Sequence, residues 1–215
     1  MAISIDQEIM ERQNAIENAL NHPEIQQLLK RVSYDQKELL QGKALNEKVR
    51  MTQSTKRNQY GSQASSTDAL LNNLGETQQV YQEHVTLARL AFKGNRGMNT
   101  VLELGGGRKK ATNAWLAQAT NFYEKIDEIA GPMARYGVTQ ESLQQAKAMV
   151  EAIVTARQQQ QQRKGEAQNA TQQRDTARRA MNAWMRDFRA AARVALKDNP
   201  QLLEVLGIFV RSKVR

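Results

Sequence analysis

The eight residues ARLAFKGN at positions 88–95 recur as ARVALKDN at positions 192–199, which is 104 positions further along the chain. The same displacement places LLQGKAL, which starts at Leu39, over LQQAKAM, which starts at Leu143, without a gap. The match includes Lys and Asn as well as helix-forming residues, so composition alone does not account for it. We therefore interpret the chain as two divergent copies of one unit, residues 1–106 and residues 107–215.

Each copy is predicted to begin with a helix that breaks near a proline. The first of these helices is predicted over residues 5–20, with Ser4 as its N-cap and a break before Pro23. In the second copy the corresponding helix is predicted over residues 112–130, and a Gly-Pro pair that ends at Pro132 is predicted to stop it. Near the end of the sequence, Asn199 is predicted to cap a short final helix that begins at Pro200. Gly207 is predicted to end this helix.

The remainder of each copy has the pattern of a long helix, residues 35–93 and 139–197. In the second stretch the apolar side chains keep one heptad phase, which is typical of coiled-coil packing. A polar, Gln-rich segment at residues 157–175 interrupts this pattern, so a continuous helix and a hairpin that folds back near Gly61 and Gly165 both remain open. The absence of turn-forming sequences favours continuous helices, whereas polarity on all faces favours the hairpin.

These features predict an all-α fold, an elongated helical bundle of two divergent pseudo-repeats with long coiled-coil-like helices, packed together as one bundle. Only three of the 215 residues are proline, and cysteine is absent, so disulfides and thiolate metal sites are not expected. No apolar stretch approaches the length of about 18 residues that a membrane-spanning helix requires. The N-terminus also lacks a secretory signal pattern, so a cytoplasmic protein without an integral membrane segment is expected.

The sequence lacks the residue patterns that support common catalytic chemistry. His22 and His84 are far apart and occur in neither Glu-x-x-His nor His-Glu-x-x-His, so His22 is predicted to begin a helix and His84 to lie on a partly exposed face. The triple glycine at residues 105–107 does not match a phosphate-binding loop and is predicted to be a flexible linker between the copies. We therefore predict a non-enzymatic protein without catalytic, cofactor-binding or metal-binding residues.

The positive charge of the chain is concentrated in its second half. The formal net charge is +9. Residues 1–106 contain 12 Lys and Arg and 12 Asp and Glu, whereas residues 107–215 contain 19 and 10. Such asymmetry indicates an anionic partner, although a soluble protein can also be basic for no reason beyond colloidal stability.

The basic residues of the second half form one face of a two-faced helix at residues 174–197. Ala177, Met181, Trp184 and Phe188 are spaced by three or four residues and form an apolar stripe. A second stripe of arginine, asparagine and lysine has the same spacing but is displaced by two residues, or about 200° around the helix. The candidate nucleic-acid-binding residues are Arg174, Arg178, Arg179, Arg186, Arg189 and Arg193.

Two explanations of this basic stripe remain open. Arg193 recurs in the first copy as Arg89, so the common fold can account for it, but the other five candidates align with uncharged residues such as Leu70 and Val85. Those five arginines either cover a site that is exposed only in the second copy or bind phosphate groups. A membrane surface or a helical partner would require the aromatic side chains of the apolar stripe to be exposed.

The leading functional hypothesis is a structural or interaction protein that holds a protein partner, or another copy of itself, through long helical surfaces. The alternative is sequence-independent binding of the nucleic-acid backbone through the basic face of the second repeat. The identity of the partner and the oligomeric state do not follow from the sequence.

Overall fold

The computed structural model describes residues 3–209, and this range contains eight α-helices and no β-strand. The all-α helical bundle that the sequence predicts is therefore confirmed. The helices are α1 Ile5–Asn21, α2 Pro23–Lys30, α3 Gln36–Ala91, α4 Arg96–Val101, α5 Thr112–Tyr123, α6 Ile126–Ala134, α7 Gln140–Ala195 and α8 Pro200–Val205.

The two long helices are continuous. Helices α3 and α7 each contain 56 residues and pass through Gly61 and Gly165 without interruption, so the hairpin alternative is wrong. Side chains cap both N-termini: Asp35 Oδ1 and Thr139 Oγ1 each accept a hydrogen bond from a backbone N–H of the first turn, at 2.9 and 3.1 Å. Such caps satisfy amides that have no acceptor within the helix.

The bounds of the helices recur at the displacement found in the sequence. Helices α7 and α8 begin and end 104 residues after α3 and α4. Two backbone positions with positive φ recur in the same way, Ser33 (66°) as Gly137 (81°) and Glu103 (51°) as Gly207 (66°), whereas Gly94 (86°) does not recur at Asp198. This left-handed conformation is typical of the residue that follows a helix. The matching bounds agree with a duplicated unit, and the duplication itself remains an interpretation.

The short helices differ from prediction in two details. The helix predicted over residues 112–130 is split into α5 and α6, and Pro132 lies inside α6 instead of ending a helix. The apolar spacing of Phe122, Ile126 and Ile129 keeps one helical phase across this break, so the sequence pattern does not mark it. Pro132 is tolerated because it lies two residues before the end of α6 and removes only one intrahelical hydrogen bond.

The second detail concerns the cap of the final helix. Asn199 occupies the N-cap position of α8, as predicted, but its side chain makes no capping hydrogen bond. In the first half, by contrast, Asn95 Oδ1 accepts from the backbone N–H of Met98 at 3.1 Å before α4. The equivalent amide of α8, that of Leu202, donates instead to the backbone carbonyl of Asn199 at 3.0 Å.

The helices group into two compact units, each of which contains parts of both sequence halves. Unit 1 consists of residues 3–60 and 166–209, and unit 2 of residues 61–165. Unit 1 thus contains α1, α2, α8 and one part each of α3 and α7, whereas unit 2 contains α4, α5, α6 and the other parts of the long helices. The division at residue 106 into two repeats concerns the sequence and remains a prediction.

Unit 1 is built around aromatic side chains. The rings of Trp184 and Phe188 stack with centroids 5.1 Å apart, and Tyr34 meets both edge-on at 5.8 and 5.5 Å. The indole Nε1 of Trp184 donates to Glu38 Oε1 at 2.8 Å, which satisfies the polar atom of this ring. Gly42 of α3 lies directly against the indole, and a Cβ at this position would overlap the ring.

Unit 2 has a separate aromatic core. Tyr81 packs edge-on against Trp115, Phe122 and Tyr123, with centroids 5.7 to 6.1 Å apart. His84 is buried beside this cluster, and its Nδ1 lies 3.1 Å from the hydroxyl of Tyr123. The prediction that His84 lies on a partly exposed face is wrong, because the hydroxyl gives the imidazole a polar partner inside the core. Burial lowers the pKa of His84 and raises that of Tyr123.

The triple glycine lies within unit 2. It belongs to the connection between α4 and α5, and Arg89 of α3 donates to the carbonyls of Leu104 and Gly106 at 3.0 and 2.7 Å. The predicted linker therefore joins two helices of one compact unit and does not join the two units. Arg89, the arginine of the repeated sequence ARLAFKGN, therefore holds this connection by donating hydrogen bonds to the carbonyl groups of the connection.

The Gly42→Ala variant should unfold more readily than the wild type. The added methyl group has to displace the Trp184 ring from a packed core, which we expect to lower the free energy of unfolding by about 1–3 kcal/mol. Urea denaturation followed by circular dichroism measures the change.

The matched control is Gly61→Ala in the same helix, where nothing lies within 4 Å of the added Cβ. This variant should be more stable than the wild type by roughly 0.5–1 kcal/mol, because glycine in a helix interior loses more conformational entropy on folding than alanine. Equal stability of Gly42→Ala and the wild type would contradict the close packing of α3 against the indole.

Candidate anion-binding site

The apolar stripe of α7 is buried, as the sequence predicts. Met181 and Phe188 are fully buried, and Trp184 is 7% exposed. A membrane surface or a helical partner could contact this stripe only if Trp184 and Phe188 were exposed. Their burial excludes both of these roles for the two-faced helix.

Two of the six candidate arginines are partly buried and form ion pairs within the fold. The Arg174 side chain is only 12% exposed, and its Nη2 lies 2.8 Å from Asp175 Oδ1. Arg178 makes a paired contact with Glu8 of α1, in which Nε donates to Oε2 at 3.1 Å and Nη2 donates to Oε1 at 2.5 Å. These two arginines align with the apolar positions of α3 that are buried or half-buried in unit 2, and ion pairs take the place of that packing.

The other four candidates are exposed on α7, and we call them the arginine face: Arg179, Arg186, Arg189 and Arg193. Arg179 Nη2 donates to Thr176 Oγ1 at 3.3 Å, and Arg186 Nε donates to Asp187 Oδ1 at 3.0 Å. Both contacts lie on the exposed surface, where such interactions contribute little stability. The arginine face therefore presents its positive charges to solvent.

Three members of the arginine face line one cavity in unit 1. The cavity has a volume of about 350 Å³. Its lining residues are Arg12, Asn182, Met185, Arg186, Arg189 and Arg193. Four of these six side chains are guanidinium groups and none is a carboxylate, so the cavity is strongly positive.

Arg12 is the buried member of this group. Its side chain is 9% exposed, and its Nη2 donates to Glu8 Oε2 at 2.9 Å and to Asn182 Oδ1 at 2.6 Å. Its Nη1 is buried and has no hydrogen-bond partner among the described residues. Burial lowers the pKa of Arg12, with a further contribution from Arg178 and Arg189, and Glu8 opposes this change. A guanidinium nevertheless stays charged in a protein.

The Glu8 carboxylate is shared by two guanidinium groups, those of Arg12 and Arg178. The hydrogen bonds from Arg178 are the main reason that the pKa of Glu8 is lower than its ordinary value, and the positive charge of Arg12 adds to the effect. One carboxylate therefore balances two cations beside the cavity. The positive charges of the arginine face are added to this excess.

Arg12 is not among the candidate residues that the charge pattern of the sequence indicates. It lies three residues after Ile9 and four before Ile16, so it belongs to the face of α1 that is otherwise buried and apolar. A cation in the middle of an apolar face is the signal that could have found it. The side chains that Arg12 contacts could not be derived from that signal, because they belong to other helices.

The equivalent place in unit 2 is filled by an apolar core. Asn18 Nδ2 donates to the carbonyl of Val205 at 2.7 Å in unit 1, and Asn121 Nδ2 donates to the carbonyl of Val101 at 2.8 Å in unit 2. These matching bonds align α1 with α5 at a displacement of 103 residues. Arg12 then corresponds to Trp115.

Two more lining residues also replace core residues of unit 2. At the displacement of 104 that relates α7 to α3, Met185 corresponds to Tyr81 and Arg189 to Val85, both of which are buried. The rings of Tyr81 and Trp115 pack with centroids 6.1 Å apart. The cavity of unit 1 therefore lies where unit 2 has packed apolar side chains.

No protein-family model, curated protein or solved structure matches the chain. Within residues 3–209 no helix is long and apolar enough to cross a membrane. The same residues contain no group of three or more histidine, aspartate and glutamate side chains that could hold a metal ion. Function therefore has to be inferred from the charged groups that the fold brings together.

The Glu8→Gln variant should be less stable than the wild type at neutral pH. It leaves the mostly buried Arg12 without its carboxylate, and we expect the free energy of unfolding to fall by about 2–4 kcal/mol. Because folding lowers the pKa of Glu8, its charge stabilises the protein above the ordinary glutamate range, and this contribution is lost as the pH falls through the folded-state value.

The stability difference between wild type and Glu8→Gln should therefore shrink when urea denaturation is repeated from about pH 7 to about pH 3. The exposed Glu24 provides the control, and Glu24→Gln should change the free energy of unfolding by less than about 1 kcal/mol. A difference that stayed constant with pH would mean that the ionised Glu8 does not stabilise the fold.

Proposed function

We propose that the protein is a non-enzymatic interaction protein that binds the phosphate backbone of nucleic acids, independently of sequence, through the arginine face. The observation that supports this proposal best is the convergence of Arg186, Arg189 and Arg193 on one cavity that has no carboxylate in its lining. Guanidinium groups donate two parallel hydrogen bonds to phosphate oxygens, so arginine suits such contacts better than lysine.

The spacing of the arginine face fits a row of phosphates. Its members extend over 15 residues of α7, or about 21 Å for steps of 1.5 Å. One strand of a B-form duplex carries about six phosphates over that length of axis, at 3.4 Å each, but it also winds through more than half a turn, so only some of them face one side. Two or more guanidinium groups can therefore contact one strand at the same time.

The surroundings of the arginine face favour recognition without base contacts. Trp184 and Phe188 are buried, so they supply no surface on which bases could stack. Phosphate contacts fix position on a nucleic acid but carry no sequence information. We therefore expect similar affinities for oligonucleotides of equal length and different sequence.

Replacing Arg186, Arg189 and Arg193 together by Gln should weaken nucleic-acid binding. The measurement is fluorescence anisotropy of labelled DNA and RNA, single-stranded and duplex, at several salt concentrations. For the wild type, log affinity should fall linearly with log salt, with a slope of about −0.9 for each duplex phosphate that is neutralised. The triple variant should reduce the magnitude of that slope by about 2–3.

The control removes the same charge elsewhere on unit 1. Lys30, Arg31 and Lys37 are exposed and do not line the arginine cavity, so the triple variant Lys30→Gln, Arg31→Gln, Lys37→Gln tests the effect of net charge alone. It should bind with nearly the slope of the wild type. If both triple variants lost the same affinity, binding would depend on overall charge and the arginine face would have no special role.

A protein partner, or a second copy of the chain, is the other candidate function. The side chains of Leu40 and Met51 on α3 are 48% and 62% exposed. They are 11 residues apart, about three helical turns, and so lie on the same face. An interface that covered this face would remove both apolar side chains from water, which favours association.

Self-association would make the average mass in solution rise with protein concentration. Sedimentation equilibrium at several concentrations measures it, and Leu40→Glu combined with Met51→Glu should return the chain to a monomer, because the charges cannot be buried at an interface. A wild type that stays monomeric at all concentrations would leave only a different protein as the partner of this face.

A further inference from the structure

We propose that the cavity lined by Arg12, Asn182, Arg186, Arg189 and Arg193 is a binding site for one phosphate monoester dianion. Such a group occurs both at the end of a nucleic-acid strand and on small phosphorylated molecules. The site does not require a polymer, so it goes beyond the backbone binding proposed above and can be tested separately.

The charge balance around the cavity favours a dianion. Its lining holds four guanidinium groups and no carboxylate, and the carboxylates that interact with these arginines, those of Glu8, Glu11 and Asp187, lie outside the lining. A ligand in the cavity therefore meets positive charge. A phosphate monoester carries about −1.5 to −2 at neutral pH and presents three acceptor oxygens, so it can accept from several of these guanidinium groups at once.

The buried guanidinium at the site is fixed in place and incompletely satisfied. Arg12 Nη2 is held by Glu8 and Asn182, at 2.9 and 2.6 Å, so the orientation of the whole group is set before any ligand binds. Its Nη1 is buried without a partner, as is Nε1 of Trp115 at the equivalent position of unit 2. Because Nη1 is not exposed to the cavity, Arg12 contributes its fixed positive charge to the site.

Asn182 adds a neutral donor to the charged groups. Its Oδ1 accepts from Arg12, which leaves the amide NH₂ as the part of the side chain that can donate to a ligand. The cavity volume of about 350 Å³ lies near the lower end of the range for small-molecule sites. It accommodates a phosphate group and part of the molecule that carries it.

The comparison with unit 2 argues against a merely solvated surface. The residues that correspond to Arg12, Met185 and Arg189 are Trp115, Tyr81 and Val85, which pack together in the core of unit 2. Unit 1 has two cations in place of the tryptophan and the valine. The charges of unit 1 therefore occupy positions at which the same fold, in unit 2, has an apolar core. A solvated face alone does not account for them.

The first experiment measures the binding of inorganic phosphate by isothermal titration calorimetry, with chloride adjusted to keep the ionic strength constant. We expect saturable binding at one site per chain. Arg189→Gln removes one guanidinium of the lining and should weaken phosphate binding by about tenfold or more, since a hydrogen bond between charged groups is lost. Arg189 is exposed, so this variant should fold as the wild type does, and thermal unfolding checks that it does.

The matched control is Arg31→Gln. Arg31 is also exposed in unit 1 and carries the same charge, but it belongs neither to the arginine face nor to the lining of the cavity. This variant should bind phosphate with less than about a twofold change in affinity, because only a screened long-range interaction is lost. Equal losses in the two variants would overturn the proposed site in favour of diffuse attraction.

The second experiment identifies the source of the phosphate. Two oligonucleotides of the same sequence are compared, one with a terminal phosphate and one with a terminal hydroxyl. Tighter binding of the phosphorylated strand that Arg189→Gln abolishes and Arg31→Gln retains assigns the site to nucleic-acid ends. Equal affinity of both strands, together with saturable binding of inorganic phosphate, supports the site with a small phosphorylated molecule as its ligand.

The site and the proposed function can fail independently. Absence of saturable phosphate binding at constant ionic strength overturns the site, even if salt-dependent binding of oligonucleotides supports the arginine face. Saturable phosphate binding without any affinity for oligonucleotides supports the site and overturns the backbone proposal.

Discussion

The contact between the Trp184 indole and the backbone of Gly42 sets the orientation of α7 in unit 1. Only glycine allows α3 to approach the ring so closely, and Phe188, stacked on the same ring, must then also face the core. Positions displaced by about 200° around the helix have to face solvent, and those positions carry the arginine face. At the equivalent positions unit 2 has Val80 in place of the tryptophan and Ala146 in place of the glycine. The smaller side chain of valine thus faces an alanine methyl group, and the total packed volume changes little.

Much of the fold could be predicted because the helical signals are local. Asp35 and Thr139 cap the long helices, and the absence of proline and of turn sequences across residues 36–91 and 140–195 predicts their continuity. The break between α5 and α6 could not be predicted, since the apolar phase passes through it unchanged. The grouping into compact units was also out of reach, because it depends on which parts of α3 and α7 pack together, and pairing between distant segments leaves no local signal.

The candidate site was predictable only on the side of α7. Periodicity places Arg186, Arg189 and Arg193 opposite the apolar stripe, but it cannot distinguish them from Arg178, which α1 neutralises through Glu8. That distinction requires the tertiary contact. The same holds for Arg12, whose position on an apolar face indicates something unusual but does not reveal the cavity that it lines.

The two units solve the same packing problem in opposite ways, and this contrast links stability to function. In unit 2 this place is filled by Trp115 of α5 and Val85 of α3, and burying such side chains stabilises a domain. Unit 1 has Arg12 of α1 and Arg189 of α7 at the equivalent positions, which gives up apolar burial and brings like charges together. An anion that binds only the folded state reverses this loss through mass action, because its binding free energy adds to that of folding. A local departure from the packing that the fold can achieve is the pattern expected of a site kept for binding.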